Sequence, residues 1–407
     1  MENDIPPSFS AIAFACDHWA DSVKQRHYTT LNLSIIDANF VMVTGTLCVA
    51  EYIEKDIVVK LSIYLLFDKP DSPKYVITSD NDSKLKKCWR STAHGCCFHH
   101  KSAAIAIMGE IVKETEDYVI YADNFTSVAN VELYKQEWRT KRECRALLLF
   151  IHGMHTHSST FQAFAAHLAK DGISTFSHDN YGHGLSKGER VFPPSFDVYV
   201  DDAVAHVRDI KSQFPHLPVF ISGQSMGGLV CLLVAANNPN LVDGTVFLAP
   251  SLEPNEKTSS PYSPLLPFMR LAVFLFPKMA VPGIFRGSRR LTTDPQEKPE
   301  ILRKDQTSYR GHPYVRHIFL IMNAMKESKP LWKNVSLPLL VVVGSDDELI
   351  SHIACEEFVK VASSDDKKLK VYQGLKHSLT QGSCETTAEL LSDLGKWIID
   401  RVPNKSV

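Results

Sequence analysis

Leu217-Pro-Val-Phe-Ile-Ser-Gly-Gln-Ser-Met-Gly-Gly-Leu-Val-Cys-Leu-Leu-Val-Ala-Ala236 decides how the last two thirds of this chain are read. The stretch divides into a buried strand (Val219–Ser222), a five-residue turn Gly223-Gln-Ser225-Met-Gly227, and an apolar helix running to about Asn237. A Gly-x-Ser-x-Gly pentapeptide between a strand and a helix is the pattern of a nucleophile elbow. Small residues must flank the serine, because strand and helix would otherwise collide in so tight a turn. The serine hydroxyl is lifted above the sheet edge, and the helix N-terminus behind it supplies backbone N–H groups with no helical partner. The pentapeptide alone is expected by chance roughly 0.1 times in a chain of this length. The strand before it and the helix after it are the context a chance match lacks, and Ser225 is read as a nucleophile.

Outward from the elbow, strands and helices alternate. Arg145-Ala-Leu-Leu-Leu-Phe-Ile151 is a near-continuous apolar run, as expected of a central parallel strand. It empties into His152-Gly-Met-His-Thr-His-Ser158, and a helix over Ser159–Asp171 follows. Strand Ser174–Ser177, the loop His178–Gly188 and helix Phe196–Phe214 lead to the elbow, and strand Gly244–Leu248 comes after it. Upstream, Tyr118–Ala122 and Val131–Trp138 read as a hairpin. Downstream, the sheet resumes with Leu337–Gly344 and Lys368–Gln373, and helix Thr386–Val402 closes the pattern. Such alternation predicts a doubly wound, mostly parallel α/β sheet of the α/β-hydrolase kind over residues 116–407. Residues 250–333 interrupt it with prolines at 250, 254, 261, 264 and 267, followed by the apolar Leu265–Phe276. That segment is expected to be a lid inserted between two sheet strands.

Residues 1–115 carry a different signal. Tyr28–Ile36, Phe40–Tyr52, Asp56–Phe67 and Tyr75–Ser79 alternate β-branched and aromatic residues, which predicts a β-rich N-terminal module. Val43-Thr-Gly-Thr-Leu and Glu54-Lys-Asp-Ile-Val-Val-Lys-Leu faintly resemble carbohydrate-binding β-sandwiches, without their aromatic sugar platform. His94, Cys96, Cys97, His99 and His100 crowd together, but the cysteines are adjacent and no second pair follows. A solvated loop is therefore expected there rather than structural zinc.

Composition narrows the function classes. The chain has 407 residues, 44% of them hydrophobic and 22% charged, and a net charge of −2, so nothing argues for nucleic acid. Nine cysteines are scattered without a disulfide spacing, which suits a reducing compartment, and a cytoplasmic protein is expected. The N-terminus lacks a basic, then apolar, leader pattern, and no apolar run reaches the roughly 18 residues of a membrane span.

A serine hydroxyl needs an adjacent imidazole, which an acid must orient. In elbow hydrolases these arrive in the order serine, acid, histidine, each in a loop at a strand's C-terminal end. Gly344-Ser-Asp-Asp-Glu348 follows one strand and Gly374-Leu-Lys-His377 the next, so His377 is the candidate base. Spacing alone leaves Asp346 and Asp347 both open as the acid. Two backbone donors are needed for the oxyanion, and Met226 and Met154 occupy the expected places. His152 is read as bracing its loop, and His155, His157, His178 and His183 as loop hydrogen-bonders. No metal or cofactor is implied.

His178-Asp-Asn-Tyr-Gly-His-Gly-Leu-Ser-Lys-Gly-Glu-Arg190, Leu217–Gly228 and Gly344-Ser-Asp-Asp347 together resemble monoglyceride lipases and related lysophospholipases from about Asn124 to Trp397. The resemblance puts the acid on Asp347, the base on His377 and the oxyanion donors on Met154 and Met226. It implies a serine hydrolase that cleaves monoacylglycerol, or a similar monoacyl lipid, through an acyl-enzyme. It also implies a lid over an acyl tunnel, resting on membrane, with Leu271, Phe274, Leu275 and Phe276 as lipid-facing candidates. Gln224 departs from the family, whose animal members commonly carry His before the nucleophile and whose plant members often carry Glu. The remaining readings are a lysophospholipase or carboxylesterase, an acyltransferase using the same acyl-enzyme, and a binding protein that kept the fold.

Overall fold

The computed structural model describes residues 16–21, 26–36, 42–52, 60–67 and 76–78 as strands, together with 110–255, 266–281, 305–381 and 385–403. The chain divides into two compact units, residues 1–111 and 112–407. In the first, β1 (Cys16–Asp21), β2 (Arg26–Ile36), β3 (Met42–Tyr52), β4 (Lys60–Phe67) and β5 (Val76–Thr78) pair antiparallel in chain order. The His94–His100 cluster lies outside the described residues.

The second sheet contains β6 (Glu110–Glu114), β7 (Tyr118–Thr126), β8 (Glu132–Thr140), β9 (Ala146–Ile151), β10 (Ile173–His178), β11 (Val219–Gln224), β12 (Gly244–Leu248), β13 (Leu339–Gly344) and β14 (Lys367–Tyr372). Their order across the sheet is β14-β13-β12-β11-β9-β10-β8-β7-β6. From β10 to β14 every neighbouring pair is parallel, whereas β8 joins β10 and β7 joins β8 antiparallel. The expected mostly parallel α/β-hydrolase sheet is therefore present. Glu110–Glu114 adds an edge strand that the sequence reading leaves in the N-terminal module. Every residue of it is exposed, so it carries no alternation of apolar and polar positions to detect.

The helices are α1 (Gln162–Lys170), α2 (Asp197–Gln213), α3 (Met226–Asn237), α4 (Leu266–Leu275), α5 (Val315–Ser328), α6 (His352–Val361) and α7 (Glu385–Ile399). Strands β9 to β13 are buried along their whole length, which requires cover on both faces and explains their unbroken apolar sequences. Phe150 of β9 packs at 4.2 Å from the Phe161 ring and 5.1 Å from Phe164, pinning the start of α1 to the sheet. Removing such a buried ring costs about 3–5 kcal/mol. Helix α3 touches β9, β11 and β12 on one side and α2 and α5 on the other, so 11 of its 12 residues are buried. An amphipathic stripe is absent from its sequence for that reason.

Strand β9 has β10 on one side and β11 on the other, so successive connections leave it in opposite directions. The crevice at the C-terminal strand ends of such a switch point is where doubly wound sheets place their ligands. Gln224 ends β11 at that crevice, and Ser225 follows.

Candidate active site

Ser225 sits between β11 and α3 with φ 57° and ψ −119°, a backbone conformation that a residue with a Cβ rarely adopts. The surroundings hold it there. Its N–H donates to the Leu248 carbonyl at 2.9 Å, and its own carbonyl accepts from Ser251 at 3.0 Å and Leu229 at 3.2 Å. Close approach accounts for the flanking glycines. A Cβ on Gly227 would stand 2.1 Å from the Ile151 oxygen, and one on Gly223 would stand 2.3 Å from the Gly227 oxygen.

The loop after β9 lies directly over the elbow, since a Cβ on Gly153 would meet the Ser225 Cβ at 3.3 Å. Met154 follows in that loop, and Met226 opens α3, so their backbone N–H groups belong to the two segments that border the serine. His152 is fully buried beneath the loop. Its Nδ1 bonds to the Gly153 carbonyl at 2.7 Å and its Nε2 accepts from the Asn180 N–H at 2.9 Å, which sets the tautomer and braces the turn. Burial pushes its pKa down to about 3, so it is a neutral strut.

Asp347 and His377 come together across the ends of β13 and β14. His377 Nδ1 donates to Asp347 Oδ2 at 2.7 Å, and both residues are buried. Asp347 Oδ1 accepts from the N–H groups of Leu349 at 2.8 Å and Ile350 at 3.3 Å. Burial alone would raise this carboxyl, but the imidazole and the two amides outweigh it and hold the group below its ordinary value. Asp346, the other acid of the turn, is exposed and accepts from Ser345 instead.

Three groups of contacts around this centre carry no sequence signal. The Ser225 and Ser251 hydroxyl oxygens lie 3.3 Å apart, Ser251 having folded back beyond β12. Gln224 Nε2 donates to the His377 carbonyl at 3.2 Å, and its Oε1 accepts from the Thr380 hydroxyl at 3.3 Å. The segment 305–309, between β12 and β13 in the chain, is fastened to the loop after β9: Tyr309 N–H donates to the His155 carbonyl at 3.0 Å, and His157 Nε2 bonds Asp305 Oδ1 at 3.1 Å. Arg190 adds a bond to the Thr307 carbonyl.

Of the other histidines singled out in the sequence, His178 and His183 are core residues. His178 and His206 share one Nδ1–Nδ1 hydrogen bond of 3.0 Å, and His183 Nδ1 bonds the Tyr181 carbonyl at 3.0 Å. Among the described residues no group of three or more His, Cys, Asp or Glu side chains is arranged to hold a metal ion. No helix among them is long and apolar enough to cross a membrane. A surface cleft of about 470 Å³, lined in part by Arg145, Lys170 and Lys396, lies at the N-terminal ends of β9 and β10, away from Ser225.

Leu271, Phe274, Leu275 and Phe276, in and just after α4, are exposed, Phe274 to 81%. Helix α4 packs against α5, and Val315 N–H donates to the Met279 carbonyl at 2.8 Å.

The model of the family described as serine aminopeptidase, S33 matches residues 142–383, more than half of the chain. Mouse monoglyceride lipase is 29% identical over 270 residues, covering 66% of this chain and 88% of the mouse protein. The monoacylglycerol lipase of Mycolicibacterium smegmatis is 26% identical over 288 residues, covering 69% and 97%. A soluble variant of Saccharomyces cerevisiae monoglyceride lipase, solved with a substrate analog, superposes with a TM-score of 0.61 at 20% identity, covering 73% of this chain and all of that one.

Proposed function

This chain belongs to the S33 serine hydrolase family and is a serine carboxylic ester hydrolase, and from that premise we propose that it cleaves monoacylglycerol to a fatty acid and glycerol. In this reading Ser225 Oγ attacks the acyl carbonyl while His377 Nε2 takes its proton. Asp347 holds the ring by Nδ1 and stabilises the imidazolium. The N–H groups of Met154 and Met226 bind the oxyanion. The carbon–oxygen bond to glycerol then breaks, and His377 returns the proton to the departing alkoxide. Water, deprotonated by the same imidazole, attacks the acyl-enzyme, releases the fatty acid and restores Ser225. No cofactor enters. The observation that carries the reading is the 2.7 Å His377–Asp347 hydrogen bond, with His377 tied to the elbow through Gln224, the residue before Ser225.

The substrate class rests on the relatives' names and on the lid. Phe274, Phe276 and Leu271 are exposed side by side on a short apolar element, and an exposed patch of that kind suits a lipid surface. We place the protein peripherally on a membrane, in the cytoplasm, with lid residues touching lipid. Lysophospholipids and short esters would use the same chemistry, and an acyltransferase would differ only in the acceptor that reaches the acyl-enzyme.

Fatty-acid release from 1- and 2-monoacylglycerols by purified protein, beside Ser225→Ala, tests the proposal. Lysophosphatidylcholine and a short p-nitrophenyl ester complete the panel. Serine-dependent turnover fastest on monoacylglycerol is expected. Turnover confined to the short ester would remove the lipid assignment. Absence of all turnover, with Ser225 unlabelled by a fluorophosphonate, would leave a fold kept for binding.

A further inference from the structure

Gln224 occupies the variable place in Gly-x-Ser-x-Gly, where the motif asks nothing of the side chain. In this chain the side chain is buried and crosses to a loop more than 150 residues away. One end of its amide donates to the His377 carbonyl and the other accepts from Thr380, 3.2 and 3.3 Å respectively. The carbonyl partner requires an N–H donor, which fixes the orientation of the amide.

The contacts around His377 fall into two kinds. Asp347 fixes the ring through Nδ1, as described. The backbone that carries the ring follows Gly374, at φ 75°, and its carbonyl accepts from Leu379 N–H at 3.1 Å, a bond within its own loop. Gln224 is the side chain that ties this backbone to the elbow. It belongs to the residue directly before Ser225, whose own N–H is fastened to β12. The separation of nucleophile and base is thus spanned by one amide on a rigid strand end.

We propose that Gln224 is a positioning residue that holds His377 in register with Ser225, and that Thr380 anchors it. The proposal rests on the serine hydrolase reading above and acts through His377, without touching the reacting atoms. Displacing a catalytic group by about 1 Å costs on the order of 10²-fold in rate, so a clamp at this place matters to kcat. Its lack of charge matters as well. A carboxylate at position 224 would face the His377 carbonyl without a proton to donate, and its charge would favour the imidazolium.

The test uses the full chain and the rate at which a fluorophosphonate labels Ser225, followed from pH 5.5 to 9. Labelling reports activation of the serine by His377 whatever the natural ester is. Gln224→Ala is expected to slow labelling, and kcat on a short p-nitrophenyl ester, by roughly 10–100-fold, with KM changed less than about threefold and the acid limb of the pH profile in place. Thr380→Val is expected to slow both by about 3–10-fold in the same pattern. The double variant should lose little more than Gln224→Ala, because both act through one contact. A residue that merely fills the core would change the melting temperature and leave the labelling rate of the folded protein unmoved. Wild-type labelling by Gln224→Ala overturns the proposal. If Gln224→Ala does not fold, full labelling by Thr380→Val overturns it. A wild-type chain that labels but hydrolyses no monoacylglycerol defeats the substrate reading alone, and one that never labels defeats both.

Discussion

Lowering the pH from 7.5 to 5.5 should destabilise the hydrolase unit, for a reason visible in its core. His152, His178, His183, His206 and His317 are all buried, and burial pushes each of them down, His152 and His206 to about 3. Next to burial, nearby positive charge pushes the same way: His206 faces Lys135, and His183 faces Arg190. Below the ordinary histidine value of about 6.5, the unfolded chain takes up protons that the folded core refuses. Stability is therefore present above that value and lost as pH falls beneath it. At pH 5.5 each imidazole that stays neutral in the core removes on the order of 1 kcal/mol, and the five together several kcal/mol. A typical domain has only about 5–15 kcal/mol to lose.

Asp179 and Asp202 oppose this trend, since burial raises both carboxyls and their protonation in acid favours the folded state. The histidine sum is thus a ceiling. Urea denaturation at half-unit pH steps, with hydrolysis of a soluble ester as a readout confined to this unit, measures the slope. Proton uptake on unfolding should approach four to five per chain at pH 5.5. Replacing both His178 and His206 with Phe, which deletes the shared hydrogen bond together with both partners, should lower the uptake by about two. A denaturation midpoint that is flat between pH 7.5 and 5.5 would refute the reasoning.

Other consequences follow from single contacts. Asp347→Asn should leave the fold intact and lower kcat by roughly 10³–10⁴-fold, because the ring tautomer is lost; stopped-flow acylation with a p-nitrophenyl ester reads it. Gly227→Ala drives a methyl group into the backbone at Ile151 and His152, so it should cost about 3 kcal/mol or more by thermal melting and abolish Ser225 labelling. Phe274→Ser with Phe276→Ser should weaken binding to phosphatidylcholine vesicles at least about tenfold while sparing the short ester; unchanged binding would return these rings to the lid's own packing. Asp305→Ala removes the acceptor of His157 and of the Thr307 N–H, so amide exchange at Thr307 and Tyr309 should quicken severalfold.

What was legible in the sequence tracks how locally each feature is encoded. β9, β11 and β13 read as strands because burial on both faces demands uninterrupted apolar residues. The edge strand Glu110–Glu114 escapes for the opposite reason, since nothing covers it. Helix α6 was not anticipated, although a cap signal existed: the Ser351 hydroxyl accepts from Ala354 N–H at 3.2 Å. Its apolar residues point in different directions, Ile353 being 73% exposed while Cys355 and Phe358 are buried, so no clean stripe stands out. His178, at the end of β10, and His183 read as loop residues in the sequence because a polar side chain in a glycine-rich stretch has no local mark of burial. Only the fold shows that His178 meets His206 and that His183 lies under α5's His317, the latter two rings 5.9 Å apart.

Motif reading finds the strand–turn–helix at Ser225 because a backbone requirement writes itself into the sequence as glycine. The same reading is silent at Gln224, where the requirement belongs to a side chain and its partners lie on another loop. Hydrogen-bond complementarity is the constraint there: whatever occupies the position must suit both a carbonyl and a hydroxyl. A carboxylate has no N–H to offer the His377 carbonyl, so that change at position 224 entails a change in how the His377 loop is held. Substitution to Glu together with Thr380→Lys, which supplies a cation for the new carboxylate, should therefore recover more of the labelling rate than either change alone. Additive losses in that double-mutant cycle would separate the two residues and dissolve the clamp.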